Sequence, residues 1–362
     1  MDFLSCIPTV FVVEDHYQIL INAHHNGIFA IEIAGSLFYE ENNGTLSSQK
    51  NFAKISVPRS LLDQEKSYTV IFRKTITRKA YFSQLENAKY STFEFKPLTK
   101  EENINIYLLA DVHYHLDIAR KTADFFGEKV DLFVLAGDIG EVETFNDYFK
   151  VGKFLGDIAK GKIPVIFARG NHDTRGAMAE NFTDYFPSIG KQTYYYFDLP
   201  TLCGIISDCG EDKPDKNEEY GGVNAFHLYR INQAKYLAKL PKATKPCFVV
   251  CHICPSQTTE NVGNVFDIER QTYEKWNFHY NRIGVKFMLC GHIHKTYILQ
   301  ANDKRAILSN PYPVIVGSAI PKDDFVGSAL VLDKDKLSVK FTNSKGEVLE
   351  SYILDLSTGT LI

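Results

Sequence analysis

Runs of β-branched and aromatic residues, each about the length of a strand, dominate the first 97 positions. Tyr17–His24 and Gly27–Ile33 flank Asn26-Gly27, and that dipeptide between two such runs predicts a hairpin. A second turn signal stands at Asn43-Gly44. Further strand-like runs come at Phe52–Val57, Tyr68–Lys74 and Ser91–Phe95. Short strands separated by turn signals predict an all-β sandwich over 1–97. After the polar link from Lys96 to Asn103 the texture changes. Apolar runs at Ile104–Leu109, Leu132–Leu135, Val165–Phe167, Phe248–Val250 and Phe287–Leu289 alternate with longer mixed stretches. Asp117–Phe126, Thr144–Ala159 and Tyr229–Leu240 carry helix-like spacing, so 98–362 is predicted to be an α/β domain. Strand patterns return at Lys336–Phe341 and Glu350–Leu354.

The residues directly after each apolar run of the second part carry the chemistry. The runs lead into Asp111-Val-His113, Gly137-Asp138, Gly170-Asn171-His172-Asp173, His252, and Gly291-His292-Ile293-His294. Loops after strand C-termini share one edge of an α/β sheet, so these residues are expected to converge. Setting His172 and Asp173 aside, they offer two carboxylates, one amide oxygen and four imidazoles. That donor set suits Mn, Fe, Zn, Co or Ni ions. Seven donors exceed what one catalytic ion with an open position takes, and they suffice for two ions, a device for phosphoryl displacement. The adjoining glycines allow the backbone to approach closely beside the donors.

Together the five blocks resemble, in order, those of the calcineurin-like metallophosphoesterases. The resemblance covers about residues 104–320. It implies a four-layer β-sandwich flanked by helices, with a dinuclear site of two divalent or trivalent transition-metal ions. It implies one ion on Asp111, His113, Asp138 and His294, and the other on Asp138, Asn171, His252 and His292, with Asp138 bridging. It further implies attack by a metal-bound hydroxide on a phosphomonoester or phosphodiester, with His172 as general acid. Asp173 is expected to position that loop. The stretch Val57–Phe72, with Leu61 and Tyr68 about a turn, resembles the corner of fibronectin type III sandwiches. A β-domain of that kind also precedes the catalytic domain of purple acid phosphatases. Their ligating Tyr is replaced here by Glu141, a candidate partner for His172 or a water.

Composition narrows the reading. Forty basic and 44 acidic residues give −4 at pH 7, which speaks against a broad nucleic-acid surface and leaves room for a small phosphorylated substrate. Arg175 suits a substrate phosphate, while His115 and Tyr114 are candidates for the cleft mouth. The acidic, Gly-rich stretch from Asp208 to Gly222 is a candidate lid. Seven irregularly spaced cysteines, no leader-like N-terminus and no apolar run of membrane length predict a cytoplasmic, reducing setting with no membrane partner. Cys254 is expected to be structural, and His24-His25 to lie in solvent. The rival to an enzyme is a scaffold of the same fold with a vestigial site. Within enzymes, nucleotide phosphodiesterase and phosphomonoesterase remain alternatives.

Overall fold

The computed structural model describes residues 2–256 and 269–362. Two sheets pack face to face, and helices cover their outer sides. The larger sheet places Ile104–Leu109, Leu132–Ala136 and Val165–Ala168 side by side and parallel. Val326–Asp333, Lys336–Asn343 and Val348–Asp355 extend it as an antiparallel meander on one side. The second sheet runs in the order Tyr195–Asp198, Cys203–Ser207, Cys247–Cys251, Val285–Cys290, Val314–Val316, Tyr297–Leu299.

Alternation along the second sheet builds the layers. In Cys247–Cys251, Phe248 and Val250 join the core shared with the large sheet. Cys247, Val249 and Cys251 face the opposite way, with Leu237 and Trp276 of helices Phe226–Lys239 and Arg270–Ile283. Successive strand residues point to opposite faces, so a wholly apolar strand needs cover on both. Helices Leu116–Ala123 and Phe145–Ala159 contribute Ala119, Tyr148 and Val151 to the core of the large sheet. The second of these opens with a capping box between Thr144 and Asp147, close to its predicted start.

The first 97 residues are strand-rich, as expected, but they do not stand apart. Thr9–Val13 is buried along its whole length and pairs in parallel with Val165–Ala168. His16–Ile33 then pairs antiparallel with it, and Lys50–Pro58 and Ser67–Thr77 continue the same sheet. One apolar cluster runs from Phe3 to Leu356. The run Thr-Val-Phe-Val-Val has no polar face to offer solvent, which is why it lies inside a sheet. Residue 97 therefore marks a change of texture, not a break in the core.

The predicted hairpin at Asn26-Gly27 does not form. His16–Ile33 is a single strand of 18 residues. Gly27 meets a packing need instead: a Cβ there would strike the Phe72 ring and stand 2.5 Å from the Arg73 carbonyl oxygen. The chain reverses later, at Ala34-Gly35, where both residues have positive φ, 49° and 78°. The Asn43-Gly44 turn forms, with φ of 49° and 79°, between Glu41–Asn42 and Thr45–Leu46. In the stretch Val57–Phe72, the Tyr68 hydroxyl donates to the Gly161 carbonyl, 3.0 Å away. No helix among the described residues is long and apolar enough to cross a membrane.

Candidate metal centre

The five strand ends meet at one edge of the two facing sheets. Asp111 and His113 follow Ile104–Leu109, Asp138 follows Leu132–Ala136, and Asn171 follows Val165–Ala168. His252 follows Cys247–Cys251, and His292 and His294 follow Val285–Cys290. Five of these residues hold a left-handed backbone: Asp111, His113, Asp138, His292 and His294, with φ between 48° and 78°. Such a conformation costs a non-glycine residue about 1–3 kcal/mol and persists where surrounding contacts enforce it. The contacts are present. Both Asp111 carboxylate oxygens accept the His292 N–H at 2.9 Å. Asp138 Oδ1 accepts the His172 N–H at 2.8 Å. Asp173 Oδ2 accepts the N–H groups of Gly170 at 2.7 Å and Asp138 at 3.1 Å, binding two of the loops together. A Cβ on Gly137 would stand 2.6 Å from Gly170 Cα, and one on Gly291 would stand 2.7 Å from Asp111 Oδ2. Glycine is thus required where these loops cross.

The donors fall into two groups. In one, His113 Nε2 and His294 Nε2 are 3.4 Å apart, and His294 Nε2 is 3.5 Å from Asp111 Oδ1. In the other, Asn171 Oδ1 is 3.0 Å from both His252 Nε2 and His292 Nδ1. Asp138 Oδ2 lies between them, 3.1 Å from His252 Nε2 and 4.0 Å from His113 Nε2. Metal–ligand bonds of about 2.0–2.2 Å put neighbouring donors roughly 3.0–3.6 Å apart. Most of these separations lie in that range, so the donor set fits two cations sharing Asp138.

Protonation points the same way. His252 Nδ1 lies 2.7 Å from the Ala136 carbonyl oxygen, to which it donates, and this turns Nε2 toward the centre. Burial disfavours charge on this ring, yet the Asp138 carboxylate outweighs it and lifts the imidazole to about 10. Burial beside Asp138 lifts the Asp111 carboxyl to about 7. Burial lowers His113 to about 4 and His292 to about 3, leaving neutral imidazoles. Without metal, protons on His252 and Asp111 offset part of a buried negative surplus, and binding cations would release them.

The remaining predicted residues divide. Glu141 Oε1 lies 3.5 Å from His113 Nδ1, so the carboxylate faces the imidazole of a candidate donor rather than His172. Arg175 is held by Glu211 through two bonds of 2.7 Å, and its third nitrogen is 3.5 Å from His172 Nε2. His115 stands at the start of helix Leu116–Ala123, where its carbonyl accepts the Ala119 N–H. Tyr114 is largely exposed.

The candidate lid is a packed strap. Asp208 Oδ2 accepts from Arg169 Nε at 2.7 Å, and Glu211 is fully buried. Asp212 reaches within 3.9 Å of His292 Nε2. Glu211 and Asp212 were not among the predicted site residues. A signal for them exists, since Leu202–Ile206 is a sixth apolar run leading straight into Ser207-Asp208.

The centre agrees with what this chain is similar to. The sequence profile of calcineurin-like phosphoesterases matches residues 104–296. No curated protein sequence matches the chain. The structure of a purple acid phosphatase, PPD1, from yellow lupin (Lupinus luteus) superposes with a TM-score of 0.60 at 12% identity. That match covers 96% of this chain and 74% of the phosphatase. A structure of PhoD superposes with a TM-score of 0.57 at 10% identity, over 99% of this chain and 92% of PhoD. At such identities the likeness speaks for the fold alone. With the profile spanning more than half of its length, this chain belongs to the calcineurin-like phosphoesterase family.

Proposed function

We propose that the protein hydrolyses a small phosphomonoester or phosphodiester at a dinuclear metal centre. The observation that carries this reading is the pair of donor groups, Asp111, His113 and His294 against Asn171, His252 and His292, with Asp138 Oδ2 between them. When bound, the two cations would neutralise charge on the phosphoryl oxygens and acidify a water to serve as nucleophile. Asp138 orients the catalytic loop as well, because its Oδ1 holds the His172 backbone. His172 would keep a proton at Nε2 for the departing oxygen. The nearby Arg175 nitrogen shares that space and would donate to a phosphoryl oxygen, while Glu211 fixes the fork. Glu141 would set the ring of His113 from the side away from the ions. The irregular spacing of the seven cysteines supports a reducing, cytoplasmic setting.

The test is metal analysis of the purified protein, followed by Mn²⁺ reconstitution and hydrolysis of p-nitrophenyl phosphate and bis-p-nitrophenyl phosphate. Two equivalents of metal with turnover of either ester is the expected result. Asp138→Asn should lower both metal content and rate. Fewer than two equivalents together with no hydrolysis would sink the proposal, and the ratio of the two rates separates monoesterase from diesterase.

A further inference from the structure

We propose that Asp212, outside all five strand-end blocks, is a positioning residue that sets the ring of His292 so that its Nδ1 faces Asn171. This rests on the dinuclear reading. His292 has its Nδ1 3.0 Å from Asn171 Oδ1, and its opposite ring nitrogen is 3.9 Å from Asp212 Oδ2. The imidazole thus stands between a metal-side donor and a carboxylate. At 3.9 Å the two groups stand at ion-pair distance rather than hydrogen-bonded; a shift of under about 1 Å closes them into the arrangement by which outer carboxylates orient ligating histidines.

Asp212 is placed with care for a loop residue. Its Oδ1 accepts from the Tyr220 hydroxyl at 2.8 Å and from Lys213 Nζ at 3.1 Å. Tyr220 in turn accepts the Lys213 N–H at 3.0 Å, so the strap closes on itself around the carboxylate. Beneath it, the fully buried Arg230 donates to the Cys209 and Glu211 carbonyls at 2.7 Å each. Glu211, the preceding residue, grips Arg175 and accepts from the Thr174 hydroxyl at 3.1 Å. Two adjacent acids therefore serve two ends of the centre, Glu211 the His172 loop and Asp212 the last ligand pair. This geometry makes the sixth strand end, after Cys203–Ser207, part of the metal centre.

The experiment is calorimetric titration of the metal-stripped full chain with Mn²⁺, comparing wild type, Asp212→Asn, Asp212→Ala and Glu219→Gln. Glu219 pairs with Lys213 at 3.1 Å, so its substitution loosens the strap while the Asp212 carboxylate is kept. Wild type is expected to take two ions. Both Asp212 variants are expected to bind one of them roughly 10–100-fold more weakly and the other unchanged. Glu219→Gln should bind both as wild type does, and melting of the stripped Asp212→Asn protein should match wild type. Unchanged affinities in both Asp212 variants would overturn the inference. So would an equal loss in Glu219→Gln, which would mean that strap order rather than the carboxylate matters. A wild type that takes fewer than two ions would bring down the dinuclear reading itself.

Discussion

At the scale of single residues, the centre joins groups that are costly apart. Asp111 and Asp138 are buried carboxylates within reach of the same imidazole, His252. Such groups are expensive to bury unless paired or bound to metal. The left-handed backbone at five donors adds to that cost, and the loops that impose it also aim the side chains. His172 differs in kind, since the role proposed for it is to carry a proton. His172→Ala should leave the metal content unchanged and slow turnover of alkyl phosphates roughly 10²–10⁴-fold. The loss should be much smaller with p-nitrophenyl phosphate, whose leaving group needs little protonation. Equal losses on the two substrate types would show that His172 is not the acid.

At the scale of elements, the long strand His16–Ile33 and its neighbours do work that the local pattern hid. Gly27 lets Ser67–Thr77 approach, so Gly27→Ala must push the Phe72 ring and the Arg73 carbonyl aside. Overpacking of this kind costs about 1–3 kcal/mol, readable as a lower urea midpoint. Lys54, on Lys50–Pro58, donates to the Thr183 and Phe186 carbonyls at 2.6 Å and to Ser188 Oγ at 2.9 Å. Burial lowers its amine from 10.5 to about 8, although Glu40 opposes this. Between those two values the unfolded chain binds more protons than the folded one, so this group's contribution to stability rises with pH from about 8 toward 10.5. The stability gap between wild type and Lys54→Met should therefore widen over that window and stay flat below it. Urea unfolding at half-unit pH steps checks this, and parallel curves would refute it.

At the scale of the whole molecule, the front segment and the catalytic half share a sheet, a core and cross-links. Gln18 exchanges two hydrogen bonds with the Ser188 backbone, and the Tyr185 hydroxyl donates to Asn22 Oδ1 at 2.7 Å. Removing residues 1–97 would bare the edge of Val165–Ala168, the strand that carries Asn171 and His172 to the site. The fragment 98–362 is expected to lose cooperative thermal unfolding, and a sharp melt like that of the full chain would show the front segment to be dispensable. The amino-acid sequence by itself marked the candidate donors, in order, and the strands that deliver them. Chemistry demands particular side chains there, and a buried strand ending in Asp, Asn or His is a local pattern that survives in one dimension. It also carried the turn at Asn43-Gly44 and the helix opened by Thr144. Only the tertiary structure decided the rest. Gly27 could be a turn or a close approach, and the choice depended on Phe72, 45 positions on. Thr9–Val13 could close a sandwich or join the catalytic sheet, and the edge of Val165–Ala168 settled it. Asp212 looked like one acid among several on a polar loop until folding set it beside His292. In each case the deciding partner is distant in sequence, and pairing and packing between distant segments leave no mark in local patterns.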